Sequence, residues 1–145
     1  MQQPEVLPYL RFQGMRNYDI ALDVSITPAG YDESIVTRSN YKYMYWNMCQ
    51  QLAHHTSNGC NVRVGDLMAS GTISGQEPDS FGSMLELSWG GKNPLTLSNG
   101  LTRSFIEDGD RITLRGWAEN EGIRVGFGDV NNRIINESWP GLAAE

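Results

Sequence analysis

Basic residues are scarce in this sequence. Its 145 residues include 11 lysines and arginines against 17 aspartates and glutamates, which gives a formal net charge of -6 at pH 7. Proteins that bind nucleic acid concentrate positive charge against the phosphate backbone. The composition therefore argues against a nucleic-acid partner. With 39% apolar and 19% charged residues it is typical of one globular domain.

Long apolar runs and cysteines are equally scarce. No run approaches the roughly 20 apolar residues needed to span a bilayer. The first residues, Met1-Gln2-Gln3-Pro4, lack the basic and apolar stretches of a leader peptide, so we expect neither a leader nor a membrane segment. Cys49 and Cys60 are the two cysteines. They are predicted to be reduced core residues with free thiols rather than a disulfide.

The first third of the chain carries clear periodic patterns. Apolar residues alternate with polar ones over residues 20–26, which predicts a strand with one buried face. Pro28-Ala29-Gly30 ends it, and a β-branched run predicts a second strand over residues 33–38. Apolar residues at helical spacing then predict a helix from about 40 to 57, ended by Asn58-Gly59.

The remainder reads as short strands separated by turns rich in Gly, Asp, Asn and Pro. Strands are predicted over residues 66–73, 83–89, 95–97, 111–117 and 123–127. There is no internal repeat and no linker, so residues 1–145 are predicted to form one unit without an internal boundary. The fold class is therefore mainly β, rich in antiparallel pairing, with one helix.

Histidines and acidic pairs are the obvious candidates for chemistry. His54 and His55 are adjacent on the predicted helix and point about 100° apart, so both cannot reach one ion, and a structural or capping role is favoured. The acidic pairs lie next to Gly or Pro or stand alone, without the dense set of oxygen ligands that a hard cation needs. The pairs are Asp32-Glu33, Glu77-Pro78-Asp79 and Asp108-Gly109-Asp110. Turn formation explains the last two of these at least as well as metal binding does.

Two further positions remain open on residue patterns alone. Residues 65–75 combine glycines and small residues around Thr72, which suits either close approach of a ligand to the backbone or a simple bulge. Glu86 lies in a short run with alternating leucines. It is either a solvated strand residue or a partly buried carboxylate that orients an imidazole from elsewhere in the protein.

Several stretches together resemble the fumarylacetoacetases of the fumarylacetoacetate hydrolase family, in the C-terminal part of their catalytic domain. The most specific is Gly71-Thr72-Ile73-Ser74-Gly75 followed by residues 83–89, Ser-Met-Leu-Glu-Leu-Ser-Trp. Residues 7–10, 39–46, 50–55, 58–61, 101–105, 108–110 and 124–128 extend the likeness over nearly the whole chain.

The resemblance implies a mixed β-sandwich roll, found in cytoplasmic homodimers, that hydrolyses a C–C bond of 4-fumarylacetoacetate to fumarate and acetoacetate in tyrosine and phenylalanine catabolism. A bound divalent cation, Mg²⁺ or Ca²⁺, and a lysine stabilise the leaving enolate in that family, and a histidine activates water. Glu86 matches the glutamate that orients this histidine and is the catalytic candidate. Thr72 matches a threonine that contacts substrate.

The departures from the family pattern matter as much. The family's metal ligands, catalytic histidine, lysine and further substrate-binding residues lie upstream of Leu7, and no stretch here repeats them. The chain is thus predicted to be a fragment that is inactive alone and holds no metal. Two alternatives remain: a fragment of another superfamily enzyme, against which residues 43–46 and Ser74-Gly75 argue, or a non-catalytic β-domain for binding or self-association.

Overall fold

The main body of the protein is an antiparallel β-sheet. A computed structural model describes residues 2–14 and 17–136; residues 1, 15, 16 and 137–145 of the predicted single unit lie outside the description. The strands are β1 (Ala21–Thr27), β2 (Ser34–Asn40), β3 (Leu95–Thr96), β4 (Thr102–Arg103), β5 (Arg111–Asn120) and β6 (Ile123–Arg133). The large sheet has the order β2-β1-β5-β6, and β3 pairs with β4 separately. The prediction of a mainly β fold is confirmed.

Helices are few and short. They are α1 (Met48–Thr56), α2 (Met84–Leu87) and single 3-10 turns at Pro8–Leu10, Tyr41–Tyr43 and Pro78–Ser80. No helix in the described part of the chain is long and apolar enough to cross a membrane.

The helix predicted over residues 40–57 is too long. Asn40 caps a 3-10 turn instead, since its side chain accepts a hydrogen bond from the Lys42 amide at 2.9 Å. A second cap follows at Asn47, where a reciprocal capping box with Gln50 begins α1. Two caps within one aromatic-rich run divide it into two elements.

Two of the predicted strands are wrong. Residues 66–73 pair with no strand in the described chain, and residues 58–72 are all exposed. Residues 83–89 contain α2 rather than a strand, because the Ser83 hydroxyl oxygen accepts the Glu86 amide and starts a helical turn. The Ser-x-x-Glu spacing is a helix N-terminus pattern, and over four residues it outweighs the alternation of leucines.

The remaining strand predictions are confirmed with changed ends. β5 and β6 run longer than predicted and meet at a two-residue turn, Glu121-Gly122, with φ of 49° and 78°. Positive φ at both positions is the type I′ turn that suits a twisted hairpin. β6 is an edge strand, and every one of its residues is exposed.

One face of the sheet supports the region of residues 73–84. The Thr37 hydroxyl donates to the Asp79 carbonyl at 3.1 Å, and the Ser39 hydroxyl donates to the Ile73 carbonyl at 2.9 Å. Both donors lie on β2, paired with the apolar β1 residues Val24 and Leu22. These bonds hold the loops that carry the candidate site against a rigid sheet.

A buried ion pair fixes the approach to β5. Arg103 donates two hydrogen bonds to the carboxylate of Asp110, each at 2.9 Å, and Asp110 is 1% exposed. The Arg103 guanidinium lowers the pKa of Asp110 below its ordinary value, aided by the Glu107 amide and opposed by burial. The predicted turn role of residues 108–110 is confirmed, with Asp110 as its anchor.

Candidate functional site

The carboxylate of Glu86 is half-buried and held by two serine hydroxyls. Ser74 donates to its two oxygens, at 2.9 Å each, and Ser83 donates to Oε2 at 2.7 Å. Glu86 lies in the first turn of α2, where a negative charge is favourable. Glu86 therefore lies in a helical turn rather than a strand and is not fully exposed, and its role in orienting an imidazole stays a prediction.

Ser74 connects this carboxylate to the neighbouring loop. Its oxygen accepts the Gly82 amide at 3.0 Å while its single proton is shared between the two carboxylate oxygens. A second bond, from the Gly75 amide to the Ser80 carbonyl at 2.9 Å, ties the same two segments together. The direction of the Ser74 hydroxyl is thus fixed by its acceptor role toward Gly82.

Glu86 retains capacity for a further partner. An ionised carboxylate offers about four acceptor positions, and the two serines occupy at most three of them, leaving at least one at Oε1. Glu86 lines an open groove of about 400 Å³ together with Phe81, Leu85 and Trp89. The remaining acceptor position at Oε1 is available to an N–H group from outside the two serines.

Trp89 lines that groove from a strained position. The Gly90 amide donates to the Leu85 carbonyl at 2.8 Å, and the Trp89 amide donates to the Glu86 carbonyl at 3.2 Å. This is the Schellman pattern at the end of a helix, in which the residue in the place of Trp89 is usually glycine. Trp89 has φ of 51°, which costs a residue with a side chain about 1–2 kcal/mol.

Thr72 lies beside the Glu86 network but lines a different groove. Its side chain is exposed and borders a space of about 350 Å³ next to Leu22, Val24 and Leu114 of the sheet. A Cβ added at Gly82 would lie 2.8 Å from Thr72 Cγ2 and 2.5 Å from the Ile73 carbonyl oxygen. The backbone of Gly82 therefore approaches residues 72–73 of the same chain closely. Approach of a ligand to this segment stays a prediction.

The two histidines lie in the last turn of α1, outside the helical turn that carries Glu86. His54 Nδ1 is 3.1 Å from the Tyr9 hydroxyl, and His55 Nε2 is 3.5 Å from Cys60 Sγ. Both cysteines are free, which confirms the predicted thiols, but both are exposed, so the prediction that they belong to the core is wrong.

The acidic pairs do not converge. Within residues 2–14 and 17–136 no three His, Cys, Asp or Glu side chains are placed to hold one metal ion. Glu33 instead binds Arg115 at 2.6 Å and the Ser25 hydroxyl, and Arg115 in particular lowers the pKa of Glu33. Asp110 is held by Arg103.

Sequence patterns did not predict the roles of three residues in this site: Ser74, Ser83 and Trp89. Ser83 had a usable signal in the Ser-x-x-Glu spacing to Glu86. Ser74 had none, because its contact with Glu86 spans 12 positions of the sequence. Trp89 also had none, since Gly90 beside it is the residue that local rules place in the left-handed position.

Comparison with known proteins agrees with the resemblance. The family model for the fumarylacetoacetate (FAA) hydrolase C-terminal region matches residues 4–135. The chain is 52% identical over 135 residues to the fumarylacetoacetase of Arabidopsis thaliana, covering 92% of this chain and 32% of that protein. It is 50% identical over 140 residues to the human fumarylacetoacetase, covering 96% and 33%. The fumarylacetoacetase of Caenorhabditis elegans is 45% identical over 136 residues, covering 93% and 32%.

The chain thus spans about a third of the length of these relatives, and it matches their C-terminal part. Both the family match and the identities far exceed what a shared fold alone would require. The chain belongs to the fumarylacetoacetate hydrolase family.

Proposed function

We propose that this chain is the C-terminal part of the catalytic domain of a fumarylacetoacetase. The complete enzyme, meaning this chain joined to the upstream part that its relatives carry, would hydrolyse 4-fumarylacetoacetate to fumarate and acetoacetate in the breakdown of tyrosine and phenylalanine. The observation that carries the proposal is the Glu86 carboxylate, which Ser74 and Ser83 hold in place with an acceptor position left at Oε1, on a residue that lines an open groove.

Glu86 acts in this proposal by orienting a histidine of the upstream part. Its carboxylate accepts the N–H of one imidazole nitrogen, which leaves the other nitrogen free to take a proton from water. The imidazolium that forms is then stabilised by the negative charge beside it. The two serine donors support this role, because they prevent the carboxylate from rotating away.

Thr72 contributes a hydroxyl to a substrate oxygen. Thr72 is exposed and lines a groove beside the inner strands β1 and β5, and the described structure gives its hydroxyl no hydrogen bond that would hold it away from a ligand. A hydroxyl contact of this kind contributes about 0.5–1.5 kcal/mol. It favours binding more than chemistry.

A divalent cation, Mg²⁺ or Ca²⁺, belongs to the proposal only through the upstream part. A hard cation takes about six oxygen ligands, and the described residues of this chain place no such set together. The donor set here does not fit a metal, and no step through Glu86 or Thr72 depends on one. A cytoplasmic homodimer is likewise proposed for the complete enzyme.

A chimera tests this function. This chain replaces the matching C-terminal part of the Arabidopsis thaliana relative, and release of fumarate from fumarylacetoacetate is measured. We expect turnover by the chimera, none by this chain alone, and in the Thr72→Val chimera a KM raised by about two- to tenfold with kcat little changed. A folded chimera without activity would refute the proposal.

A second candidate, a non-catalytic β-domain that self-associates, is favoured by one observation. Apolar side chains project from the edge strand β6, where Ile123 is 71% and Phe127 62% exposed. Unpaired edges and large apolar patches promote association. Sedimentation of this chain at micromolar concentration tests it. We expect dimers or larger species, and a well-behaved monomer would count against self-association.

A further inference from the structure

The side chain of Trp89 has no local reason to occupy its position. It follows α2 in the left-handed conformation, with φ of 51°, at a place in the Schellman pattern that favours glycine. Trp89 is 69% exposed, so it gains little from packing within the described chain. A residue that strains the backbone without burying its side chain points to a use outside its own element.

The surroundings of the indole indicate that use. Trp89, Leu85 and Phe81 are the apolar walls of the groove, and Glu86 is its charged member. A carboxylate with an open acceptor position is complementary to a group that carries an N–H and becomes cationic. A ring that fills the groove would displace water from beside the carboxylate, which strengthens the charge interaction. An aromatic face next to a cation adds a further attraction.

We propose that Trp89 is a positioning residue for the imidazole that pairs with Glu86, forming the wall against which that ring packs. This inference rests on the proposed function of Glu86. The groove then receives a histidine ring from the upstream part of the enzyme, held on one edge by the carboxylate and on one face by the indole. Loss of the wall leaves the ring hydrogen-bonded but free to tilt away from the attacking water.

Replacement of Trp89 by glycine separates this role from a structural one, because glycine relieves the backbone strain. In the complete enzyme, Trp89→Gly should unfold at a temperature no lower than wild type. Its kcat should nevertheless fall by about tenfold to a hundredfold, since small misplacements of catalytic groups have effects of this size. KM should stay within about twofold. Trp89→Phe, which keeps an aromatic ring, should have a kcat between the two.

Glu121 provides the matched control. It is the other non-glycine residue with positive φ in the described chain, at 49°, and it lies in the β5–β6 turn. Glu121→Gly relieves the same kind of strain and should leave kcat and KM unchanged.

Three results would overturn the inference: normal kcat in Trp89→Gly, a raised KM with normal kcat, which would place substrate in the groove, or a loss of activity that follows a lowered unfolding temperature. Glu86→Gln, assayed in parallel, distinguishes failure of the Trp89 role from failure of the Glu86 role. If Glu86→Gln loses turnover and Trp89→Gly does not, the inference about Trp89 alone fails. If Glu86→Gln keeps normal turnover, the proposed role of Glu86 fails as well.

Discussion

Removal of the Ser74 hydroxyl should impair catalysis while leaving the fold intact. Ser74 is the donor that reaches both oxygens of Glu86, at 2.9 Å each, and its own orientation is fixed by the Gly82 amide at 3.0 Å. Hydrogen bonds to a charged group contribute about 1.5–3 kcal/mol. If that free energy holds the carboxylate in its reactive orientation, Ser74→Ala should lower kcat by about tenfold to a hundredfold.

Steady-state hydrolysis by the complete enzyme measures this effect. Gly82 is exposed, so water can replace the lost acceptor for its amide, and the unfolding temperature should change little. Ser74→Thr, which retains the hydroxyl, should restore most of the turnover. Ser70→Ala is the control, because among the described residues the Ser70 hydroxyl donates only to the neighbouring Gly71 carbonyl, and its loss should not affect kcat. Normal turnover in Ser74→Ala would refute the idea that Ser74 positions Glu86.

Two further predictions concern stability of the complete enzyme. Gly82→Ala places a Cβ 2.5 Å from the Ile73 carbonyl oxygen and should lower the free energy of unfolding in urea by about 1–3 kcal/mol. Gly126→Ala is the control, because nothing lies within 4 Å of a Cβ there, and it should not lower that free energy in this way. Equal stability of the two variants would contradict the clash. Arg103→Met leaves Asp110 buried without its partner and should cost about 3–5 kcal/mol at pH 7. The pKa of Asp110 is lowered in the folded protein, so the ion pair stabilises the fold at pH values above the ordinary carboxyl pKa. That stabilisation is lost as the pH falls through the lower pKa of the folded state, so the difference in unfolding free energy between Arg103→Met and wild type should shrink in acid. A difference that does not change with pH would contradict this.

Local periodicity predicts a strand over residues 20–26, and β1 confirms it. The single buried face expected from the alternation is absent, because the polar residue Ser25 and the apolar residue Ile26 are each only 1% exposed. The same reasoning fails at residues 66–73, where Leu67 is 96% exposed and no strand in the described chain pairs with the segment. Apolar composition alone cannot supply a pairing partner, which is a property of the tertiary structure.

Part of the candidate site is likewise predictable from the sequence and part is not. Glu86 and Thr72 are predicted through family resemblance, which carries information that residue patterns lack. The donors and walls around Glu86 depend on contacts between residues distant in sequence, as with Ser74, or on a backbone conformation that contradicts local preference, as with Trp89. Such features arise only when the chain is folded. The Ser83 cap is the exception, since its spacing to Glu86 is a local pattern.

Glu86→Gln in the complete enzyme tests whether the Glu86 carboxylate orients the general base. Glutamine keeps the shape but removes the charge, and it can present a donor to the wrong imidazole nitrogen. General-base catalysis contributes about a hundredfold to ten-thousandfold, so kcat should fall at least about a hundredfold. KM should stay close to that of wild type, because Glu86 makes no contact with substrate in this account. Near-normal kcat would show that the carboxylate serves only the hydrogen bonds of α2 and Ser74.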